Sequence, residues 1–324
     1  MELNACSVFL LRTRESIWGG GEVFLCDIAL ELLSRGMSVR IAAPKKAWVR
    51  KAIHVGVKPH RRDNRYDFVL CNDFRSVWKS CLFDFTRSRI FVVHGEWQLS
   101  KLRARVANWF GVHVFVVNQT LAKKCRSLGI ANPHVLPIGV NASQALTALR
   151  VVQTGQIVLG YVARLDQIKR HKLFLSICSA NGLPGILVTP PPKTSREHEL
   201  VREILQHKPL NVDFFCDGDA SHVWSAASVF VHVAKKESLG LVLLEAMANN
   251  LLVISNDSPG PREIMTGILS AGILNVELLQ VPGTLEKLVK LMSRFSSDIQ
   301  ETAASVLSSR TASRNVDIIL DFAK

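Results

Sequence analysis

No stretch of this 324-residue sequence approaches the eighteen or so consecutive apolar residues that a membrane-crossing helix needs. The opening segment, MELNACSVFLLRTRES, lacks a basic region followed by a long apolar core and a small-residue cleavage site. It therefore reads as a first β-strand rather than a signal peptide. The seven cysteines form no CxxC pair, and an odd number cannot all pair within one chain. Buried thiols in a reducing compartment are expected, which points to the cytoplasm. The G-x-G-x-x-G spacing of a dinucleotide site is missing too, because Phe24 stands where the third glycine after Gly19 and Gly21 would fall.

What is present is the composition of a globular protein, 48% hydrophobic and 21% charged, in a chain long enough for two cores. Charge is unevenly placed. Residues 1–150 carry 23 Lys and Arg against 10 Asp and Glu, whereas residues 151–324 carry 17 of each, so the whole net charge of +13 lies in the first half. Such a field favours an anionic partner (nucleic acid, an acidic membrane surface or an anionic acceptor), although a basic face that only keeps the protein soluble would look the same.

Short β-branched and aromatic runs alternate with segments of helical period. Strands are expected at residues 7–12, 39–43, 68–71, 90–93 and 112–117, and again at 157–162, 186–188, 212–216, 229–233 and 252–255. Helices are expected between them, among others at 22–35, 99–110 and 121–128. Near-continuous apolar strands separated by helices imply parallel sheets covered on both faces, and two such series imply two doubly wound α/β domains. The polar stretch 141–156 is the expected join, and the tail from about residue 298 reads as helix with no strand after it.

The most informative segment is Glu237-Ser238-Leu239-Gly240-Leu241-Val242-Leu243-Leu244-Glu245-Ala246-Met247-Ala248. Glu245 is the one charge in an apolar helical run, and a buried carboxylate without a partner costs several kcal/mol. On one continuous helix the two glutamates would point about 80° apart. The spacing makes sense if Glu237 lies in a loop and Glu245 about one turn inside the helix, so that both lean toward the helix start. That end also offers free N–H groups and a positive dipole, a ready place for phosphate. A structural glutamate paired with a buried Arg or Lys would share the spacing.

Arg164-Leu165-Asp166-Gln167-Ile168-Lys169 follows an expected strand directly. Two cations in one loop suit a diphosphate, Arg as a fork and Lys as a point charge, although a plain surface loop carries the same residues. Asp217-Gly218-Asp219 has the D-x-D look of a metal site but reads better as a turn that caps a helix, and no metal is expected. Residues 45–51 and 99–110 mix Lys or Arg with Trp, the composition of an interfacial helix on anionic lipid or of a buried helix with a basic outer face.

These motifs together resemble glycosyltransferase family 4, retaining enzymes of the GT-B fold. The E-x7-E spacing of Glu237 and Glu245, with Pro259-Gly260-Pro261-Arg262-Glu263-Ile264 after it, and Tyr161-Val162-Ala163-Arg164-Leu165 with Lys169, are similar to that family's donor-side motifs. In the first half, Gly19-Gly20-Gly21-Glu22, Phe91-Val92-Val93-His94-Gly95 and Val135-Leu136-Pro137-Ile138-Gly139-Val140-Asn141 are similar to its glycine-rich loop, its strand-plus-histidine element and its domain-end segment. The resemblance runs from about residue 5 to 295 and departs from the family at several points. Ala163 replaces a glycine, Ser238-Leu239 the common Gly-Phe, Asn250 a glycine after the helix and Leu252 a proline. Thr189-Pro190-Pro191-Pro192-Lys193 stands where a glycine-rich loop is usual.

The resemblance implies two Rossmann-like domains facing each other across a cleft. An acceptor-side domain would take residues 1–145 and a donor domain 146–300, with a C-terminal helix at 301–324 packing back toward the first domain. It implies transfer of a sugar from a nucleotide diphosphate sugar, UDP- or GDP-linked, to a hydroxyl of a glycan, glycolipid or polysaccharide precursor, without a metal or other cofactor. Arg164 and Lys169 would hold the diphosphate, Glu245 the ribose and Glu237 a hydroxyl of the transferred sugar. Backbone N–H groups of Ser238, Leu239, Gly240 and Leu241 would meet sugar and phosphate. Gly20 and Gly21 would let the backbone approach the phosphates, and His94 would orient the donor sugar or acceptor. The acceptor would be a sugar or a lipid-linked sugar, an anionic membrane surface would be met through the basic half, and nucleic acid is not expected. The readings to set against it are a non-transferase of the same fold, such as a sugar-nucleotide epimerase, and a basic membrane- or nucleic-acid-binding protein with a degenerate donor site.

Overall fold

The computed structural model describes residues 8–12, 20–42, 57–59, 65–84, 86–140, 149–265 and 272–322. Ser7, Gly19, Ala43, the stretch 45–51 and Asn141, all used in the sequence reading, lie outside them. The chain divides into two compact units, one of residues 1–141 with 309–324 and one of residues 142–308.

The first unit is built on a seven-stranded sheet in the order β3-β2-β1-β4-β5-β6-β7. Its strands are β1 (Val8–Arg12), β2 (Ser38–Ala42), β3 (Lys58–Pro59), β4 (Tyr66–Cys71), β5 (Thr86–Val93), β6 (His113–Val116) and β7 (His134–Val135). The second holds a six-stranded sheet in the order β10-β9-β8-β11-β12-β13. It comprises β8 (Leu159–Val162), β9 (Gly185–Val188), β10 (Val212–Phe215), β11 (Val229–His232), β12 (Leu252–Asn256) and β13 (Ile273–Leu274). The described strand pairs are all parallel. In each sheet the first strand in sequence lies inside, the next strands step outward on one side, and the chain then returns to build the other side. This is the doubly wound order, with a switch point between β1 and β4 and another between β8 and β11.

The central strands are apolar because both faces are covered. Phe9 of β1 stacks on Phe68 of β4 with ring centroids 5.0 Å apart, and all four residues of β9 and of β11 are buried. Each such side chain contributes about 1.5–3 kcal/mol when fully removed from water. Helix starts follow the capping chemistry of the sequence. Asp73, Ser100, Asn118 and Thr311 each accept a hydrogen bond from the backbone three residues on. Thr194 and Glu197 form a reciprocal capping box. Asn250, just past the helix Leu241–Ala248, takes the left-handed conformation (φ 60°) expected of the residue that replaces a glycine there.

Several expectations need correction. Each sheet is wider than the five strands expected, because β3, β7 and β13 are two-residue edge strands too short to show a period. The strands expected at 68 and 90 begin earlier, at Tyr66 and Thr86, and the helix expected at 22–35 runs Gly20–Ser34. The stretch expected as the join contains a helix, Arg150–Thr154, stopped by Gly155 at φ 65°. The helical tail is two helices, Ser296–Ser309 and Ala312–Asp321. At the break, Arg310 is buried and donates to the carbonyl of Ile138 at 3.3 Å. Its own carbonyl crosses so close to Gly139 that a Cβ there would sit 1.5 Å from the oxygen. Beyond the break, Arg35 reaches Asp317 at 2.6 Å and Ser313, binding the last helix to Gly20–Ser34.

Candidate functional site

In open parallel sheets of this order, ligands bind beyond the strand carboxyl ends at the switch point, where neighbouring loops diverge. In the second unit the loops leaving β8 and β11 flank that point. The β8 loop closes in a short 3-10 turn, Gln167–Lys169, begun by Asp166, whose side chain accepts from the Ile168 N–H. Lys169 is fixed by its backbone. Its carbonyl accepts from the buried Tyr161 hydroxyl at 2.6 Å, and the Ile168 carbonyl accepts from the Lys235 N–H of the other loop at 2.8 Å.

The Lys169 ammonium then donates to the Glu237 carboxylate at 2.8 Å, with side chains 13% and 17% exposed. Behind them stands His232, 1% exposed, with Nε2 3.4 Å from Glu237 Oε2 and Nδ1 3.3 Å from the Ser255 hydroxyl. At 3.4 Å the His232–Glu237 contact is electrostatic and too long for a good hydrogen bond. Burial pushes the Glu237 carboxyl up, but contact with His232 and the charge of Lys169 outweigh it and hold it well below the usual carboxylate range. Burial, then the Glu237 charge, push the Tyr161 phenol well above its ordinary value, so it stays a donor.

Glu237 is thus an ionised, oriented acceptor at the mouth of β11. Three exposed cations lie on the same two loops: Arg164 on the loop after β8 and Lys235 and Lys236 on the loop after β11. The described residues give Arg164 no ion pair, so the structure joins Lys169 to Glu237 and leaves Arg164 presented to solvent.

The β11 loop ends at Gly240, which caps the helix Leu241–Ala248 at φ 83°, where a Cβ would also meet Leu243 Cδ1 at 2.9 Å. Glycine suits this position because a side chain disfavours left-handed backbone by about 1–2 kcal/mol. A glycine cap has no side chain to offer, and the first helical turn carries no acid. Leu239 and Gly240 are buried and Ser238 half-buried. The segment Pro259–Ile264 supports this loop from behind. The Gly260 N–H donates to the Glu237 carbonyl at 3.0 Å, and a Cβ at Gly260 would lie 2.6 Å from the Leu239 oxygen.

Glu245 departs from its expectation. The helix is not buried all round: Leu241, Leu243, Leu244, Ala246 and Met247 are buried, whereas Val242, Glu245 and Ala248 share a partly exposed face. Its carboxylate therefore needs less compensation than a core position would demand, and it stands about one turn inside the helix, as its spacing predicts.

Asp217-Gly218-Asp219 is a turn leading into the helix Ser221–Ala226, whose cap residue is Ala220 and offers no side-chain bond. Asp217 accepts from the Asp219 N–H at 2.8 Å and Asp219 from the Ser221 N–H at 2.9 Å. His222 lies 2.8 Å from Asp217 and stacks on Phe215 with centroids 3.8 Å apart. Among the described residues no group of three or more His, Cys, Asp or Glu is placed to hold a metal.

The first unit has a cluster of its own at the switch point between β1 and β4. Gly20 and Gly21 open the helix Gly20–Ser34, and Asn72 follows β4. A Cβ on Gly21 would lie 2.5 Å from Asn72 Nδ2, so glycine is what admits this approach. Asn72, 1% exposed, hydrogen-bonds through Oδ1 to His94 Nε2, and its carbonyl accepts from Gln98 at 2.9 Å. Gln98 in turn accepts from the His94 N–H at 2.6 Å. Burial pushes the His94 imidazole down to about 4, which keeps it neutral near pH 7. Asn72, Gln98, His232 and Ser255 were not picked out from the sequence. The first pair reads as cap and loop polar residues. His232 ends an apolar strand, where a core-edge histidine is the ordinary meaning.

Residues 150–274 match the family model described as glycosyl transferases group 1. No curated protein sequence matches the chain. Among solved structures, HepE of Anabaena in complex with UDP-glucose is 16% identical, with 97% of this chain and 99% of that one covered at a TM-score of 0.74. A glycosyltransferase from Rickettsia africae is 14% identical, with 98% of each chain covered at 0.79. A sucrose-phosphate synthase from Thermosynechococcus elongatus is 16% identical, with 98% of each covered at 0.72. Two doubly wound parallel sheets, with these neighbours over nearly their whole lengths, give the chain the α/β two-domain fold of GT-B glycosyltransferases.

Proposed function

We propose that the protein is a retaining, family-4-type glycosyltransferase that moves a sugar from a UDP- or GDP-linked donor to an acceptor hydroxyl of a glycan, glycolipid or polysaccharide precursor. One observation carries the reading. The Lys169–Glu237 pair stands at a sheet switch point beside the glycine-capped start of a helix, within the residues that match the glycosyl transferases group 1 model. The UDP-glucose in HepE supports a nucleotide sugar as the ligand.

In this reading Arg164, Lys169 and the N–H groups of Ser238, Leu239, Gly240 and Leu241 bind the diphosphate and stabilise the charge it gains on leaving, the work a metal ion does elsewhere. Glu237 accepts from a hydroxyl of the transferred sugar and Glu245 from the ribose. The bond from anomeric carbon to phosphate oxygen breaks and the acceptor oxygen bonds on the same face. The acceptor proton passes to the leaving phosphate. In the first unit, Gly20 and Gly21 would admit a phosphate near the backbone, and neutral His94, held by Asn72, would orient a sugar. A cytoplasmic setting is part of the proposal. No helix among the described residues is long and apolar enough to cross a membrane.

A thermal-shift panel of UDP- and GDP-sugars tests it, because a ligand at a hundredfold excess over its Kd stabilises the native state by about 2.7 kcal/mol. At least one donor should raise the melting temperature, and mass spectrometry with that donor should find a new glycoside. A panel in which no nucleotide sugar moves the transition rejects the reading, and an isomerised donor without a glycoside replaces it with an epimerase.

A further inference from the structure

Among the described residues, two that are not glycine take a left-handed backbone: Asn250 at φ 60° and Arg170 at φ 56°. Asparagine tolerates that region, whereas a long side chain rarely enters it. Arg170 directly follows Lys169 and is the single residue between the 3-10 turn Gln167–Lys169 and the helix His171–Asn181. Its N–H donates to the Gln167 carbonyl at 3.1 Å and its carbonyl accepts from the Leu173 N–H at 2.9 Å, so the bend from turn to helix is made at this residue. Backbone in an unfavourable region persists only where its surroundings hold it there.

The side chain supplies that hold. The Arg170 guanidinium donates to the Glu277 carboxylate at 2.5 Å, with side chains 20% and 56% exposed. An exposed ion pair is ordinarily weak, because two long side chains must be ordered to make it. Here the acid stands on a fixed post. Its turn, Val276–Gln280, is capped by Asn275 and buries Val276 and Leu279. The turn is also tied along the helix His171–Asn181. Ser176 donates to Gln280 at 2.8 Å, and Asn181 donates to the Leu279 carbonyl at 2.8 Å and accepts from the Gly283 N–H at 3.1 Å. A glycine at position 170 would make the same bend without strain, but it could not reach this acid.

We propose that Arg170 is a positioning residue for Lys169: anchored to Glu277, it fixes the turn that aims the Lys169 ammonium at Glu237. Its effect on turnover rests on the donor reading, and its effect on Glu237 does not. Arg170→Gly and, separately, Glu277→Ala should lower kcat roughly tenfold or more with donor KM little changed, because a small displacement of a charge donor is felt in the transition state. Arg170→Gly should nonetheless melt near wild type, since glycine relieves the left-handed backbone while the ion pair is lost. In a Lys169→Ala background neither substitution should lower kcat further, as expected of residues that act through one group. Carbon NMR of labelled glutamate gives a readout that needs no donor. The charge of Lys169 helps to hold the Glu237 carboxyl low, so with Lys169 loosened that carboxyl should titrate closer to the ordinary range in both variants. Wild-type kcat in both folded variants, or a Glu237 titration identical to wild type in both, overturns the proposal. A raised KM with unchanged kcat does so as well, because the guanidinium would then touch the ligand rather than steer Lys169. If no nucleotide sugar binds while the Glu237 titration shifts, the positioning role stands and the donor reading falls.

Discussion

Lys169 and Glu237 are 68 positions apart in sequence, and the ammonium of one lies 2.8 Å from the carboxylate of the other. Each arrives on a loop that its own backbone has already fixed: Lys169 through Tyr161, Glu237 through Gly260, and the two loops through the Lys235–Ile168 hydrogen bond. A pair this enclosed gains little net stability from its attraction, because both charges have left water. What it does give is a carboxylate held ionised in one orientation and a cation whose position is set before any ligand arrives, the condition under which electrostatic stabilisation of a leaving group is effective.

Lys169→Ala should therefore act on two levels. Turnover should fall by roughly a hundredfold or more, as for loss of a preorganised charge donor, with kcat carrying the change. Glu237 would also lose its nearest cation, so the melting temperature should fall. Glu245→Ala should differ: a ribose contact made equally in ground and transition states raises KM more than it lowers kcat. Steady-state kinetics with the donor found by thermal shift decide this, and folded Lys169→Ala with wild-type kcat contradicts the assigned role.

His232 is predicted to be a positioning residue for Glu237. His232→Phe keeps a ring against Tyr161, whose centroid is 6.1 Å away, but removes the nitrogen facing the carboxylate. The Glu237 carboxyl should then titrate higher, nearer the ordinary range, and donor KM should rise. Carbon NMR of labelled glutamate reads the first effect and kinetics the second. A Glu237 titration identical to wild type would reduce His232 to packing.

Gly21→Ala probes the other cluster. The new methyl would press on Asn72 Nδ2, and Asn72 is buried and holds His94. Overpacking of this kind costs about 1–3 kcal/mol. Asn72→Ser should relieve the clash, so the double variant should melt above Gly21→Ala alone. Equal melting temperatures for wild type and Gly21→Ala would show that the segment yields freely.

Much of this was legible in the sequence, for identifiable reasons. Central strands such as β4 and β11 announce themselves by their apolar residues, and Glu237 and Glu245 stand out because charge is conspicuous beside apolar residues. The strands β3, β7 and β13 were not legible, since two residues make no period. Nor was the partly open face of the helix holding Glu245, because apolar Val242 and Ala248 share it and mimic burial. His232, Asn72 and Gln98 gain meaning only from residues far away in the chain, as does Gly139, whose lack of a side chain is explained by the backbone of Arg310. Tertiary approach decides these positions, and local pattern does not carry it.

Acid should weaken the fold in two separable steps. His171 is 4% exposed, and burial followed by the charge of Lys169 lowers its imidazole to about 4, with His94 lowered to about 4 by burial as well. Their ordinary value is 6.5, so between 6.5 and 4 the unfolded chain binds protons that the native one does not. Stability is full above pH 6.5 and falls with pH through that window, by up to roughly 3 kcal/mol for His171. Glu237 acts lower. Its native carboxyl lies well below the ordinary 4.5, so its contribution is present above pH 4.5 and is lost as pH falls further. Asp27, raised by burial to about 6 from 3.8, has the opposite sign over an overlapping window, so the comparison must be wild type against variant. Urea midpoints across pH should show His171→Leu flattening the upper step alone and Glu237→Gln the lower step alone. If His171→Leu keeps the wild-type slope between pH 6.5 and 4, the imidazole is charged in the native state and its packing against Tyr161 must be more open to water than the 6.0 Å ring contact implies.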